Sequence, residues 1–588
     1  MSSAVDELVL EMSNMTEAPP QVFLKKDWLS ILDNNNGSYS SNQAVVDTSQ
    51  LANSNKFLNY QEAYLAVPVI MSFSASANSA TTFLPATAGS SADHLLGLKN
   101  SYTSLIHSLT LDYNGTTIIQ QTPFVNIWNA FRLITTLSWE DVNTQGSTIG
   151  FYPDDALSLV YQAASVTTAN TQGFGVCFNN NAITAGPPVS GVHNSYNVGN
   201  IGFVKRQQFI NYDADGLTAP SCSAFSTLLS RTNASTLYKS SIFTKQDGTA
   251  SLPGVLQQQV MAIIKLKHLH SFFEHIPLLK GVFMKLTLSL NNASITFATS
   301  AAGTFQAPGT TAVSVSVPSG GLNPLMIASG VALPTGATTA NGAAAALAAA
   351  ATFYASVSIG NTCLFSTQAS QSGITSSSLA RSITLNVPAY TMNSVFESAY
   401  LSSPIKKIDY TDIYQYTVTG VAASANFNNL LTNGISNLKS VLVLPFLQSG
   451  SNAMSVHPFQ SPFDAAGSGV TSPLCLINNF NVVVAGANAI YNTERYTYEH
   501  FINQFYGQRA VNGGLLDGTT SALIGQLDWE TAYNYYYVNI ARCLPVEENI
   551  PKSISIVGQN LSALTVDYYC FCEYGVSVSV DVLTGARV

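Results

Sequence analysis

Three of the eight histidines stand close together in the segment KLKHLHSFFEHIP, as His268, His270 and His275. On a strand, His268 and His270 would share one face, and with Glu274 nearby they could hold a metal ion. Two lysines in the same segment would compete with a bound cation. We therefore interpret the cluster as a polar strand edge and predict no metal site.

A second cation-like pattern begins at Asn211 and continues through Asp213, Asp215 and Gly216, as in a calcium-binding loop. Such a loop needs a bidentate glutamate at its twelfth position. That position is Cys222. The pattern is truncated, and a solvated turn is predicted.

The seven cysteines are mostly far apart, and only Cys570 and Cys572 are close. A C-x-C pair on a strand puts both thiols on one face, but no second Cys or His pair follows at zinc spacing. Buried structural thiols are therefore predicted. The lack of a disulfide framework, together with an acidic N-terminus that does not resemble a secretory signal, favours assembly in a reducing compartment.

Carboxylates are scarce and dispersed. Asp154-Asp155 is typical of a turn or helix cap, and Glu547-Glu548 lies in a proline-bounded loop. No phosphate-binding glycine loop, nucleophile elbow or H-E-x-x-H motif is present. We predict no catalytic, cofactor-binding or metal-binding residues, no cofactor and no enzymatic activity. An acid/base pair formed in space by distant carboxylates stays open as an alternative.

Charged residues make up 9% of the 588 residues, whereas hydrophobic residues make up 46%. An ordinary soluble domain carries about 25% charged residues. The composition excludes a disordered chain, a helical bundle and a protein that holds nucleic acid by a basic face. Because few charges repel neighbouring copies, we interpret the surface as one that meets other protein surfaces.

Alternating apolar and polar residues predict strands, and one arrangement occurs twice. Leu105–Tyr113 alternates with period two and is followed by the turn signal Asn114-Gly115 and a returning strand. The same order recurs with Gly486 in the place of Gly115. In each copy a segment with helical spacing follows, in which Tyr498, Ile502 and Phe505 match Ile127, Phe131 and Ile134.

This repeat predicts a duplicated domain, with Val282–Leu290 and Val576–Val582 as the closing strands of the two halves. The fold class predicted is all-β: two tandem eight-stranded jelly-roll β-sandwiches, a double jelly roll, with short helices in insertions. The predicted divisions are an N-terminal arm with a short amphipathic helix (1–45), a first jelly roll (46–295), an uncharged Ala/Gly/Ser/Thr-rich linker or exposed loop (296–352) and a second jelly roll (353–588).

Three stretches resemble one viral family. They are Phe23–Ile70, Ser104–Phe131 and the C-terminal PKSISIVGQNLSALTVDYYCFCEYGVSV. In the order of their strands they are similar to the double jelly-roll major capsid proteins of virophages and Polinton-like viruses. The resemblance covers most of the chain as a pattern and includes no catalytic motif. Residues 296–352 have no counterpart in it.

The resemblance implies a structural virion protein. Three copies would form a homotrimer with six jelly rolls in a ring, a pseudo-hexameric capsomer that tiles an icosahedral shell around double-stranded DNA. The implied partners are neighbouring capsomers, a penton protein and minor cement proteins, with an internal membrane in some relatives. The chain would be assembled inside the infected host cell, and the resemblance carries over no active-site residue.

Two other readings stay open. A β-sandwich adhesin or carbohydrate-binding module would share the Asn, Ser, Thr and aromatic content, but it would normally carry a secretion signal. A glycoside-processing enzyme would need the dispersed carboxylate pair. Sequence-specific nucleic acid binding is not predicted, because Lys25-Lys26 is too small a basic patch. If the chain is a capsid subunit, outward positions such as Thr110, Asn481, Ser577 and Ser579 should face neighbouring protein or packed loops.

Overall fold

A computed structural model provides the structure of the chain. It describes residues 21–39, 41–52, 54–75, 94–99, 101–153, 160–162, 173–176, 206, 242–243, 255–298, 314–316, 324–329, 352–360, 382–447, 476–490, 495–510, 523–531, 533–540, 550–561, 565–584 and 586–587.

Strands dominate the described residues. In chain order they are β1 (Phe23–Leu32), β2 (Gln43–Asp47), β3 (Phe57–Leu58), β4 (Tyr64–Ala75), β5 (His94–Leu98), β6 (Ile106–Tyr113), β7 (Thr116–Ile119), β8 (Val160–Gln162), β9 (Gly173–Val176), β10 (Ile242–Phe243), β11 (Val255–Lys265), β12 (Met284–Leu290), β13 (Ala293–Ala298), β14 (Ser314–Ser316), β15 (Leu325–Ser329), β16 (Thr352–Ile359), β17 (Thr384–Met392), β18 (Ile405–Val421), β19 (Asn426–Ile435), β20 (Leu438–Leu447), β21 (Ile477–Val484), β22 (Ala487–Asn488), β23 (Tyr536–Asn539), β24 (Lys552–Asn560) and β25 (Val566–Asp581).

Helices are short and lie between strands. They are α1 (Ser49–Ala52), α2 (Val125–Thr136), α3 (Trp139–Ile149), α4 (Leu266–Leu269), α5 (Phe272–His275), α6 (Ser394–Leu401), α7 (Tyr498–Ala510) and α8 (Gln526–Thr531), with a 3₁₀ turn at Tyr102–Leu105. Within the described ranges, no helix is long and apolar enough to cross a bilayer.

Eight strands of the first half form a sandwich of two antiparallel sheets. One sheet has the order β1-β17-β4-β11, and the other has the order β2-β12-β6-β7. Numbered along the chain within the sandwich, these orders are 1-8-3-6 and 2-7-4-5. The apolar faces of the two sheets meet in a buried core, to which β4 contributes Leu65, Val67 and Val69 and β12 contributes Leu286 and Leu288.

Strands β18 to β25 form the second sandwich, and its sheets have the orders β18-β25-β20-β23 and β19-β24-β21-β22. Numbered along the chain, they are again 1-8-3-6 and 2-7-4-5. Two sheets built from eight antiparallel strands in this order form a jelly roll. The predicted fold class, two tandem eight-stranded jelly rolls, is therefore confirmed by the strand pairing.

The repeated hairpin is also confirmed. Asn114 and Gly115 join β6 to β7 with φ angles of 47° and 80°, and Ala485 and Gly486 join β21 to β22 with φ angles of 50° and 83°. Two successive positive φ angles belong to the tight hairpin turn that matches the twist of its strands. Helices α2 and α7 follow at corresponding places, as the spacing predicted.

The closing strands differ from the prediction. The strand at Met284–Leu290 is the seventh of the first sandwich and corresponds to β24, whereas β25 is the eighth strand of the second. The eighth strand of the first sandwich is β17, which pairs with β1 and β4. Strands β13 and β16 lie between the seventh and eighth strands and extend the same sheet.

This pairing differs from the predicted divisions at both ends of the first jelly roll. Strand β1 was predicted to lie in an arm, and β16 and β17 were predicted to lie in the second jelly roll, but all three hydrogen-bond within the first sandwich. The uncharged stretch 296–352 therefore runs from β13 to β16, two paired strands of one sheet, and includes β14 and β15. Residues 1–20, which include the predicted amphipathic helix, lie outside the described residues.

The two hairpin glycines provide a test of the repeat. We expect Gly115→Ala and Gly486→Ala each to lower the free energy of unfolding by about 1–2 kcal/mol, because an L residue is strained at positive φ. A Cβ atom at either position meets no atom within 4 Å, so the backbone angle alone sets the cost. Urea denaturation of the purified chain measures it.

Gly434→Ala in β19 is the matched control. Gly434 also has open space around a Cβ atom but no positive φ, so alanine there should be neutral or slightly stabilising. If all three variants behave alike, the strained-turn explanation is wrong.

Candidate interaction surfaces

Helix α2 of the first sandwich packs against the outer face of a sheet of the second. The ring of Phe124, next to α2, lies 5.0 Å from that of Tyr569, and the ring of Trp128 lies 5.9 Å from that of Phe571. Phe131 lies 5.1 Å from Tyr535. These edge-to-face and tilted aromatic pairs form a buried contact, called here the aromatic seam, that joins the two sandwiches.

Directly behind the seam, the sheet of the second sandwich is covered on both faces. Neighbouring residues on β25 point in opposite directions, and Tyr568 packs against Phe427 of the opposite sheet at 4.8 Å. On β23, Tyr536 likewise packs against Phe480 at 5.1 Å. One face therefore closes the second jelly roll, and the other is covered by the first.

Sequence analysis did not identify this seam. The run Tyr535–Val538 and the run Val441–Leu444 are apolar at every position, and all eight residues are buried. An unbroken apolar run of four to eight residues is typical of a strand covered on both faces. That signal was present in the sequence, but it does not tell which part of the chain covers the second face.

A polar contact lies beside the aromatic seam, and it includes one of the three predicted histidines. His270 Nε2 lies 3.3 Å from Asp412 Oδ1 of β18, and both side chains are buried. Because the Phe272 backbone N–H donates to His270 Nδ1, the proton on this ring is on Nε2, which donates to the carboxylate. Ser271 Oγ donates to the Thr411 carbonyl at 2.8 Å.

The prediction that His268 and His270 share a strand face is wrong. Strand β11 ends at Lys265, and the histidines lie on the short helices α4 and α5 or between them. Leu266, Leu269 and Phe272 are buried at a spacing of three residues, so this segment follows a helical and not an alternating pattern.

His268 is held in its neutral form. Burial, together with the nearby positive charges of Lys265, Lys267 and Arg132, lowers the pKa of His268 to about 3. Arg132 is in turn paired with Glu274 at 2.6 Å. The part of the chain that the structure describes contains no group of three or more His, Cys, Asp or Glu side chains that could hold a metal ion.

Cys570 and Cys572 are both buried and free on β25, as predicted for structural thiols. Burial raises the pKa of both thiols, that of Cys572 to about 12. They are therefore protonated and unreactive at neutral pH. The other five cysteines, the calcium-like loop at 211–222, Asp154-Asp155 and Glu547-Glu548 lie outside the described residues.

The matching sheet of the first sandwich has an exposed outer face. Trp28 on β1 is 50% exposed, and its ring lies 5.6 Å from that of Tyr64 on β4. Lys26 Nζ lies 5.4 Å from the Trp28 ring centroid and 5.2 Å from that of Tyr390, and it pairs with Glu62 at 2.6 Å. We call these five residues the Trp28 face.

The four outward positions named from the sequence have different surroundings. Ser577 is exposed, whereas Thr110 and Ser579 are half-buried. Asn481 is buried, and its side chain bonds both the N–H and the carbonyl of Ile490. For Asn481 the neighbour is therefore a packed loop of the same chain.

The chain matches no known family by sequence, and no curated protein is significantly similar to it. Several solved viral structures are similar along nearly the whole chain. A chain of the Sputnik virophage is 11% identical, covering 97% of this chain and 89% of its own, with a TM-score of 0.49. The mavirus major capsid protein is 8% identical (98% and 92%, TM-score 0.43), and the Faustovirus major capsid protein is 11% identical (98% and 94%, TM-score 0.39).

Two of these three are viral major capsid proteins, and the third comes from a virophage particle. Identities near 10% and TM-scores below 0.5 assign no role to this chain. A function for this chain must therefore be inferred from its own sheets and surfaces.

The half-buried His268 predicts an acid-labile fold. An unfolded histidine has a pKa of about 6.5, so below that value the unfolded chain binds a proton that the folded chain does not. Stability contributed by neutral His268 is complete above pH 6.5 and is lost as the pH falls toward 3. Between pH 7 and pH 5 the loss is about 2 kcal/mol.

His268→Gln removes this titration. Urea denaturation at pH 7 and pH 5 should show a smaller acid-induced loss in the variant than in the native chain, by about 2 kcal/mol. Equal losses in both proteins would show that His268 is not the group responsible.

The aromatic seam predicts a large cost for truncation. Trp128 is 6% exposed, and we expect Trp128→Ala to lower the free energy of unfolding by about 3–5 kcal/mol through lost burial and a cavity. Trp139→Ala, at a site that is 60% exposed, is the control and should change it by less than about 0.5 kcal/mol. Similar effects of the two changes would contradict the seam.

Proposed function

We propose that the chain is the structural major capsid protein of an icosahedral double-stranded DNA virus and acts as a homotrimer of six jelly rolls in a ring. The observation that carries the proposal is the pair of sandwiches with identical strand order, joined by the aromatic seam. The resemblance of the sequence to double jelly-roll capsid proteins supports it.

The geometry of the seam supports a ring. The seam is heterologous, because the helix side of one sandwich contacts the sheet face of the next. A heterologous contact leaves a sheet face at one end of the chain and a helix side at the other, and head-to-tail repetition of it closes into a ring when the rotation allows. A ring of six jelly rolls has a nearly hexagonal outline, which packs regularly in a shell. Because each chain contributes two jelly rolls, such a ring requires three chains.

The composition fits a subunit that is surrounded by copies of itself. Charged residues are 9% of the chain, and like charges repeated around a ring and across a shell would add repulsion at each contact. One sheet edge is also protected: the edge strand β19 carries two register shifts, which disfavour unplanned strand pairing.

The remaining parts of the proposal concern location and partners. The chain would reside in the virion capsid after assembly in the host cell, and its partners would be further copies, a penton protein and minor cement proteins. It would act without a cofactor and without a catalytic residue. The neutral His268 and the protonated thiols of Cys570 and Cys572 are consistent with a structural role.

Light scattering of the purified chain tests the proposal. We expect a mass three times the chain's 62.5 kDa at micromolar concentration, and electron micrographs should show pseudo-hexagonal rings. A chain that stays monomeric at high concentration and binds glycans would contradict the capsid function and favour the carbohydrate-binding alternative.

A further inference from the structure

We propose that the Trp28 face binds the segment 495–503 of a second copy. In this contact, charged residues occupy positions that are aromatic in the aromatic seam. This inference rests on the proposed function, since it describes the contact between subunits of the ring. It adds the surface that each copy uses and the chemistry of the contact.

The Trp28 face is the counterpart of the sheet face that α2 covers. Both lie on the outer side of a 1-8-3-6 sheet. In the first sandwich, Ile31 and Leu29 point from β1 toward the core, so Trp28 and Lys26 point away from it. In the second sandwich, Tyr569 and Phe571 point away from the core and are covered.

The repeat identifies what should cover the Trp28 face. Within one chain, the element that covers the sheet follows the hairpin of the preceding sandwich. The corresponding element of the second sandwich is the stretch 495–503, which includes the start of α7. Nothing in the described part of the chain brings this stretch to the Trp28 face. The next copy in the ring would therefore supply it.

The matched positions differ in chemistry. Counted from the hairpin glycines, Phe124, Trp128 and Phe131 correspond to Arg495, Glu499 and Ile502. Arg495 and Glu499 are exposed, and Ile502 is half-buried. Two of the three aromatic contacts of the seam are thus replaced by ions of opposite sign.

The Trp28 face carries the complementary charges. Lys26 and Glu62 are 42% and 47% exposed and lie beside the rings of Trp28 and Tyr390. Glu499 of one copy suits Lys26 of the next, and Arg495 suits Glu62. The Trp28 indole ring, which is half exposed, supplies apolar area for Ile502.

Solubility explains the difference between the two contacts. The aromatic seam forms within one chain, so its rings are covered in every folded subunit. The Trp28 face stays exposed until a second copy binds, and a large bare aromatic patch would promote aggregation. Interfaces between separately folded subunits are accordingly more polar than a protein core.

Charge reversal tests the contact in the full-length chain. We expect Lys26→Glu and Glu499→Lys each to weaken association at least about tenfold, because each places like charges together. The double variant should regain most of the association. Light scattering and sedimentation across a concentration series, at about 50 mM and 500 mM salt, give the association constants, and the native contact should weaken at the higher salt.

Lys25→Glu is the matched control, since it makes the same charge change on the neighbouring residue of β1. Lys25 is 67% exposed and pairs with Asp27, so association should change little. Trp28→Ala should weaken association without altering charge.

The outcomes separate the two proposals. If trimers form but the single reversals do not weaken them, or if the double variant is no better than the singles, the inference is overturned and the capsid proposal stands. If the native chain forms no trimer, the proposed function itself is wrong.

Discussion

The structure depends on the covering of both faces of the sheet β18-β25-β20-β23 at β23 and at Tyr568–Cys572 of β25. One face of this sheet forms the core of the second jelly roll, and the other is covered by aromatic residues of α2 and the residue before it. The second sandwich therefore lacks a solvated outer sheet face at β23 and around Phe571 of β25, and its position relative to the first is set by side-chain packing. Hydrogen bonds from Ser271 and His270 to β18 fix the same relation at the edge of the seam.

The duplication places equivalent elements in unequal surroundings. Both hairpins turn at residues with positive φ, and both are followed by a helix. Each seventh strand also ends at an asparagine whose side chain donates to a backbone carbonyl. Asn291, just after β12, donates to Ser104, and Asn560, at the end of β24, donates to Val421. The copies diverge in what their helices cover: α2 packs against a sheet of the other sandwich, whereas α7 packs against β23 of its own.

The sequence alone was sufficient for the class of fold, because alternation and positive-φ turns are local signals. It was not sufficient for the eighth strand of the first sandwich. A long insertion separates β12 from β17, and the pairing of β17 with β1 and β4 is a long-range property. The strand predicted for the histidine segment was wrong because a local signal was ambiguous. The spacing of two between His268 and His270 is typical of a strand, but β11 has already ended there and two short helices follow.

The low charge of the chain has a partly internal explanation. Asn292 accepts from the Ile359 N–H, Asn481 bonds both backbone groups of Ile490, and Asn560 donates to two carbonyls at the start of the second sandwich's first loop. All three side chains are buried. Jelly rolls have many loop crossings in which backbone groups need partners, and a neutral amide satisfies them without the desolvation penalty of a buried ion. Part of the polar, uncharged composition therefore holds loops to strands, and only the rest is available for contacts between copies.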